Sequence, residues 1–434
     1  MCAVKRLDRF DQTELNLIKE ALDAGDLWPY VPPTNPRRHF IGDATKRLQQ
    51  YFKRPQPSDL PYVIPTSSGT ASIHVALAGL QIPAGSEVIV SPITDIGTVT
   101  PIIMQNAIPV FADIDPDSGN MTAETIRAQI NERTSAVIVV HLTGSPVDME
   151  PIMRLCKAKG IKVIEDAAQA LGAKVGRQRV GTFGDAGCFS LNSQKHITAG
   201  EGGFVIVHDE DQFYRCHNFS DKHRDRFKYD RNQIEGDEHS KYEGMGLNYR
   251  MSELNGAMIL GQLGKLEEIA RRRNDFGATM DRLLGGVSGI VPQKHIAKSR
   301  PTFFFHMFRV EKPILDNTKR SIRRELNLGI GNELSIRIGG GYGEPLYKYP
   351  MFKNKNFFDQ NSNKSKQIWP AELVASEVYN TPPNYMDYKN ISRPHADAYI
   401  LRSFSLWCNE KHTEEHAELL ATEIVRVLKS HSAI

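Results

Sequence analysis

Three short stretches carry residue types that can do chemistry on one ligand. In SSGTASIHVALAGL, Ser68, Gly69 and Thr70 stand immediately before a run that reads as an amphipathic helix. A helix amino end has unpaired N–H groups and a partial positive charge, so it can hold a phosphate; the same residue types also serve as ordinary caps. In KVIEDAAQALGAK an apolar strand delivers Glu165 and Asp166 at its carboxyl end, where a carboxylate can bind a metal, face a protonated ring nitrogen or open a turn. An Asp beneath a pyridine ring keeps that nitrogen protonated and makes the ring an electron sink for a carbanion. In GDAGCFSLNSQKHITAGEGGFVIVHD, Lys195 lies between two apolar strands among Ser, Asn, Thr and Gly, where a solvated lysine is less expected. A lysine forms an imine with an aldehyde and becomes nucleophilic when desolvation lowers its pKa. Ser190, five residues earlier, can reach the same ligand's phosphate, and GEGG supplies a tight backbone beside the lysine. Each piece alone has an ordinary structural reading. Their order (phosphate cap, strand-end Asp, lysine before GEGG) favours one shared site.

The elements around these stretches must bring them together. From about residue 62 to 210, EVIVSP, IPVFADID, SAVIVVHL, KVIEDAA, CFSL and GFVIVHD read as strands, and TASIHVALAGL, IGTVTPIIMQNA, MTAETIRAQINE and MEPIMRLCKAKG as helices between them. That alternation predicts an α/β fold with a mainly parallel sheet, whose ligands sit outside the carboxyl ends of the strands. Residues 220–243 are highly charged and read as a long exposed loop. MSELNGAMILGQLGKLEEIARRRNDF reads as one long helix, and GGGYGEPLYKYPMFKNKNFFDQNSNKSK as a loop near the site or a cover over it. The expected division is an N-terminal arm and large domain over 1–249 and a smaller α+β domain over 250–434.

Composition sets bounds without naming a function. The chain has 434 residues, 40% hydrophobic and 24% charged, enough for two domains and a substantial buried site. A net charge of only +3, spread along the sequence, offers no broad phosphate-neutralising face, so nucleic acid is not the expected partner. The start MCAVKRLDRF lacks the apolar stretch of a signal peptide, and no run approaches the roughly 20 apolar residues of a membrane span, so a cytoplasmic protein is expected. Cys2, Cys156, Cys188, Cys216 and Cys408 are odd in number and lack C-x-x-C spacing, which reads as reduced thiols; no metal site is expected.

With SSGTASIHVAL, EVIVSP, IPVFADIDPDSGNM, VIVVHLTG, VIEDAAQALGA, FSLNSQKHITAGEGG and GLNYRMSELNGAMILGQL in order and at matching spacing, the chain resembles the DegT/DnrJ/EryC1/StrS family of fold-type I, pyridoxal-phosphate-dependent sugar aminotransferases. The resemblance implies that Lys195 is the Schiff-base lysine, that Asp166 pairs with the pyridinium nitrogen, and that Gln169 lies against the cofactor ring or its hydroxyl. Gly69, Thr70 and Ser190 would hold the phosphate. It also implies a homodimer with shared sites, because Asn248 in LNYRM matches the position from which a neighbouring subunit reaches that phosphate. Members that dehydrate a sugar carry histidine at the lysine position; here Lys195 is present with His196 only adjacent, which favours transamination. One departure stands out: where the family's P-x-x-T-aromatic stretch commonly stacks a ring on the cofactor, this chain reads SPITDIGT, with Asp95 at that cofactor-binding position. A carboxylate cannot supply a stacking face.

The reaction so implied is a ping-pong transfer from glutamate or glutamine to a ketone on a sugar or cyclitol, nucleotide-linked or free. Lys195 acts as proton shuttle, and Asp166 stabilises the carbanion. His223, Arg224 and Arg226, with Lys222 in the charged loop, are candidates for an anionic acceptor. The run FSDKHRDRFKYDR and the tail PHADAYILRSFSL resemble family members that aminate a keto-octulosonate. Two other classes compete. A non-catalytic cofactor-binding regulator need not keep the proton shuttle that Lys195 and Asp166 form, whereas a lyase, dehydratase or oxidase on the same cofactor is left open by Asp95.

Overall fold

The computed structural model describes residues 8–29, 37–55, 60–224, 244–339, 341–355, 357, 370–382 and 385–434. Nine short strands of the first half are β1 (Tyr62–Thr66), β2 (Glu87–Val90), β3 (Ile108–Phe111), β4 (Thr134–Val140), β5 (Lys162–Asp166), β6 (Lys174–Val175), β7 (Gln178–Arg179), β8 (Ala186–Ser190) and β9 (Gly203–Val207). Seven form one sheet in the order β1-β9-β8-β5-β4-β2-β3. Pairing is parallel from β8 through β5, β4 and β2 to β3, and antiparallel only where β9 lies between β1 and β8. Because β9 runs against both neighbours, the ends of β1, β5 and β8 and the β8–β9 turn emerge on one edge. The chemically equipped residues therefore share that edge, as the parallel pattern leads one to expect.

All six strand candidates are strands; β1, short and carrying Pro65, was not among them and forms the sheet's end. The strands are buried on both faces, so their side chains divide by alternation. Ile64, Val88, Val90, Ile138, Ile164 and Val205 face a core shared with the helix Gly69–Gly79. Val63, Phe189, Phe204 and Ile206 face a second core with the helices Phe40–Tyr51 and Glu253–Leu263. The expected long helix is two: Glu253–Leu263 ends at Gly264, and Leu266–Gly285 follows. At the junction Lys265 turns its ammonium onto Glu14 of the first helix, Gln12–Asp23, and onto its N-cap Asp11.

A second sheet, β10 (Ile290–Pro292), β12 (Phe305–Val310), β14 (Ser403–Trp407) and β13 (Ile338–Gly339), is antiparallel and packs with the helices Leu266–Gly285, Asp316–Leu326 and Glu414–Ser430. A third small sheet joins β11 (Ser299–Arg300) to β6 and β7. Part of the segment expected as a loop is buried instead. Leu346, Tyr347 and Phe352, followed by Ala371, Ala375 and Tyr388, pack in the core of the helix Gly69–Gly79 and tie the late chain to the large sheet. Cys156, Cys188, Cys216 and Cys408 are buried and free. Among the described residues no helix is long and apolar enough to cross a membrane.

Candidate active site

At the end of β1 the chain turns into the helix Gly69–Gly79, capped by the Ser68 hydroxyl, which accepts the Ala71 N–H at 3.0 Å. A Cβ on Gly69 would stand 2.8 Å from Ser190 Cβ, so only glycine permits this approach. The helix amino end and the Ser190 hydroxyl thereby form one concave cradle. Thr70, exposed beside it, and Asp95 converge on Gly97, where a Cβ would lie 2.5 Å from Thr70 Oγ1 and 2.9 Å from Asp95 Oδ1. Such a cradle of helix N–H groups and hydroxyls suits a phosphate.

Glu165 and Asp166, adjacent on β5, point to opposite faces of the sheet and have different fates. Glu165 accepts His141 Nε2 at 3.0 Å and the N–H groups of Gly181, Phe183 and Gly184 at 2.7, 2.6 and 2.7 Å. It is saturated and holds the turn before β8. Asp166 accepts the Thr98 hydroxyl at 2.7 Å and the Ala168 N–H at 3.1 Å, both neutral donors. Burial pushes its carboxyl pKa up, while those two bonds and the charge of Lys195 pull it down. A cation beside it would relieve that cost.

Lys195 sits in the β8–β9 turn, its N–H bonded to Asn192 O at 2.9 Å and its carbonyl held by the Arg9 guanidinium from the N-terminal arm. Its ammonium lies 4.3 Å from the centre of the Phe304 ring. Desolvation lowers its pKa, and the carboxylates of Asp166 and Asp95 oppose the shift, so both acids act on this amine. His196 is fully buried with Nε2 on Thr302 O at 3.1 Å, a packing role.

Phe304, the ring beside the Lys195 ammonium, is held by distant segments. Thr143 is buried in left-handed backbone, φ 63°, a conformation that a β-branched residue keeps only under constraint. Its N–H donates to Gln169 Oε1 at 2.8 Å, and Gln169 Nε2 donates to the Tyr342 oxygen at 2.7 Å. Thr143 O and Gly144 O accept the N–H groups of Phe304 and Thr302 at 2.7 and 3.0 Å, which aims Phe304 at Lys195. Thr98, Thr143, Phe304 and Tyr342 were not singled out from the sequence. Thr98 lies within SPITDIGT and Tyr342 within the glycine-rich segment.

The structure thus gathers Gly69, Thr70, Asp95, Asp166, Gln169, Ser190 and Lys195 at one sheet edge. Asn248 is exposed, paired through its backbone with Asp221, next to Tyr249, whose carbonyl accepts the Ser67 N–H at 2.7 Å. His223 is left-handed, φ 58°, and its N–H bonds to Asn218 O at 2.6 Å; Arg224 N–H bonds to Asp221 O at 3.1 Å. These bonds tie both to the turn after the helix Glu210–Ser220. Arg226 lies outside the described residues.

A model of the DegT/DnrJ/EryC1/StrS aminotransferase family matches residues 41–384. Over 318 residues the chain is 35% identical to the GDP-perosamine synthase of Escherichia coli O157:H7, covering 72% of this chain and 80% of that one. It is 32% identical over 356 residues to L-glutamine:2-deoxy-scyllo-inosose aminotransferase of Streptomyces kanamyceticus, covering 80% and 78%. The aminotransferase from Psychrobacter cryohalolentis superposes with a TM-score of 0.78 over 98% of both chains at 24% identity. NtdA from Bacillus subtilis, with bound cofactor PMP, gives 0.74 over 96% of this chain and 82% of that one at 20% identity. At those identities the two structures share the fold.

Proposed function

The chain belongs to the DegT/DnrJ/EryC1/StrS aminotransferase family, and from that premise we propose that Lys195 and Asp166 are its reacting centre, moving an amino group from glutamate or glutamine to a keto-sugar. The protein is a pyridoxal-phosphate-dependent aminotransferase of amino-sugar biosynthesis. The residues present fit the cofactor by their own chemistry. A helix amino end with Ser190 suits its phosphate, a desolvated amine suits its aldehyde, and Asp166 is a buried carboxylate bonded to neutral donors that gains from a cationic ring nitrogen. That state of Asp166, within electrostatic reach of Lys195, is the observation that carries the reading.

When bound, the cofactor supplies a carbonyl for amine exchange and a ring that takes up the electron pair left by a departing proton. Gly69, Thr70 and Ser190 hold the phosphate. Asp166 keeps the ring nitrogen protonated, and Thr98 and Ala168 N–H keep the carboxylate aimed. Lys195 Nζ, free as an amine during turnover, takes the proton from the substrate carbon and would return it to the carbon on the far side of the transferred nitrogen, two atoms away. Its lowered pKa leaves more of it unprotonated for that work. Phe304 lies against the amine.

Asp95, whose charge reaches Lys195 and Tyr342, is assigned to the acceptor's hydroxyls. An anionic acceptor group would be met by His223, Arg224 and Arg226. The same reading includes a cytoplasmic homodimer in which exposed Asn248 reaches the partner's phosphate cradle, and a division of the chain near residue 250. Glutamate supplied with a panel of keto-sugars and cyclitols, followed by product identification, tests the acceptor class. An aminated sugar or cyclitol supports the reading, and turnover confined to eliminated or oxidised products contradicts it.

A further inference from the structure

Gln169 uses both ends of its amide within the protein. Its oxygen accepts the Thr143 N–H at 2.8 Å, and since that partner can only donate, the amide cannot be flipped. Nε2 therefore faces Tyr342, whose oxygen accepts one proton at 2.7 Å and leaves the other for a ligand. Tyr342 packs against a buried cluster that includes Ile93, Leu142 and Met307, from three separate parts of the chain, and Ile93 is two residues before Asp95. Burial pushes the phenol pKa up, and Asp95 and Asp166 push it further, so the group keeps its proton. An aromatic side chain thus lies within electrostatic reach of Asp95, the position at which the family resemblance implies a ring.

We propose that Tyr342 is a positioning residue for the cofactor: it fixes the Gln169 amide toward the ring and supplies, from the late chain, the aromatic wall that Asp95 does not. The inference rests on the transamination reading above and assigns a role to a residue outside the strand-end motifs. Gln169 is held from two sides, by a strained backbone at Thr143 and by Tyr342, so its free N–H has one direction. Tyr342→Phe keeps the ring and removes the acceptor oxygen, which separates packing from positioning.

The test reconstitutes wild-type, Tyr342→Phe, Gln169→Leu and the double variant with pyridoxal phosphate. It measures cofactor affinity by absorbance titration, both half-reactions in single turnover, and the melting temperature. A lost neutral hydrogen bond predicts roughly a two- to tenfold slowing in each single variant, equal in the two half-reactions, with weaker cofactor binding. The double variant should be no worse than the more affected single, because the two residues act through each other. Additive effects, a Tyr342→Phe defect confined to the acceptor half-reaction, or a lowered melting temperature with unchanged cofactor binding and rates would overturn the proposal. If Tyr342→Phe lowers stability, Gln169→Leu carries the cofactor measurements from the other partner. Lys195→Ala run alongside separates the two claims. If it keeps the lysine-linked absorbance, the reading of the site fails; if it loses it while Tyr342→Phe is silent, only the role of Tyr342 fails.

Discussion

Two walls face Lys195, and they are built differently. One is the sheet edge, where the Ser68–Thr70 cradle, Asp166, Ser190 and Lys195 follow directly from strand ends set side by side by pairing of β5 with β8 and of β8 with β9. The other is assembled from Thr143, Thr302–Phe304 and, through Gln169, Tyr342; its bonds from Thr302 and Phe304 to residues 143–144 and from Gln169 to Tyr342 each span more than a hundred residues of chain. A sheet edge presents fixed groups to the part of a ligand that never changes, the phosphate and ring. Segments brought from afar close the site against that fixed part, and here they hold the Gln169 amide and bring Phe304 against Lys195.

The comparison breaks most visibly at Lys195. Lys195→Ala should remove turnover and the lysine-linked visible absorbance together, and retained absorbance would mean that another amine holds the cofactor. Asp166→Ala should leave the cofactor bound and slow both half-reactions. Loss of a buried ionic partner, about 3–5 kcal/mol, corresponds to a slowing on the order of 10²–10⁴-fold. Rates near wild type would assign the ring nitrogen to a different group. Asp95 belongs to the sheet edge in sequence but faces the second wall, so Asp95→Phe should spare the donor half-reaction. It should lower the acceptor kcat/KM roughly ten- to a hundredfold, the value of a charged hydrogen bond of about 1.5–3 kcal/mol. Equal slowing of both halves would make Asp95 part of the cofactor machinery. The smallest signal concerns Asn248: mixing inactive Lys195→Ala with inactive Asn248→Ala should restore about a quarter of wild-type activity, since half the dimers are mixed and each carries one intact site. No recovery, with mixed dimers shown to form, would mean each site is built within one chain.

The first wall was legible because its signals are local. Glycine and serine before a helix, a strand ending in two acids, and a lysine before GEGG each lie within a few residues, and the sheet edge follows from the β-α alternation. Which acid does chemistry was visible only in its resemblance; the structure adds the physical distinction, a Glu165 saturated by four donors against an Asp166 with two neutral ones. The second wall was not legible. Thr143 gains its role from a left-handed backbone, Phe304 from a pairing across more than 150 positions, and Tyr342 from one hydrogen bond to Gln169. Composition and periodicity carry no trace of such contacts. The break at Gly264 falls in an apolar repeat that continues across it, so periodicity reads one helix; the glycine at the end of Glu253–Leu263 was the local sign of the break, and Lys265 at the junction reaches Asp11 and Glu14.

The most direct test of the central claim is a single-turnover mixture of the purified, cofactor-loaded protein with glutamate or glutamine and no acceptor, followed by absorbance. The account predicts that the lysine-linked absorbance disappears as the pyridoxamine form accumulates in amounts matching the enzyme, with one equivalent of keto acid released, and that a keto-sugar then reverses the change. Absorbance unmoved by either donor, or keto acid formed without the pyridoxamine form, would contradict it.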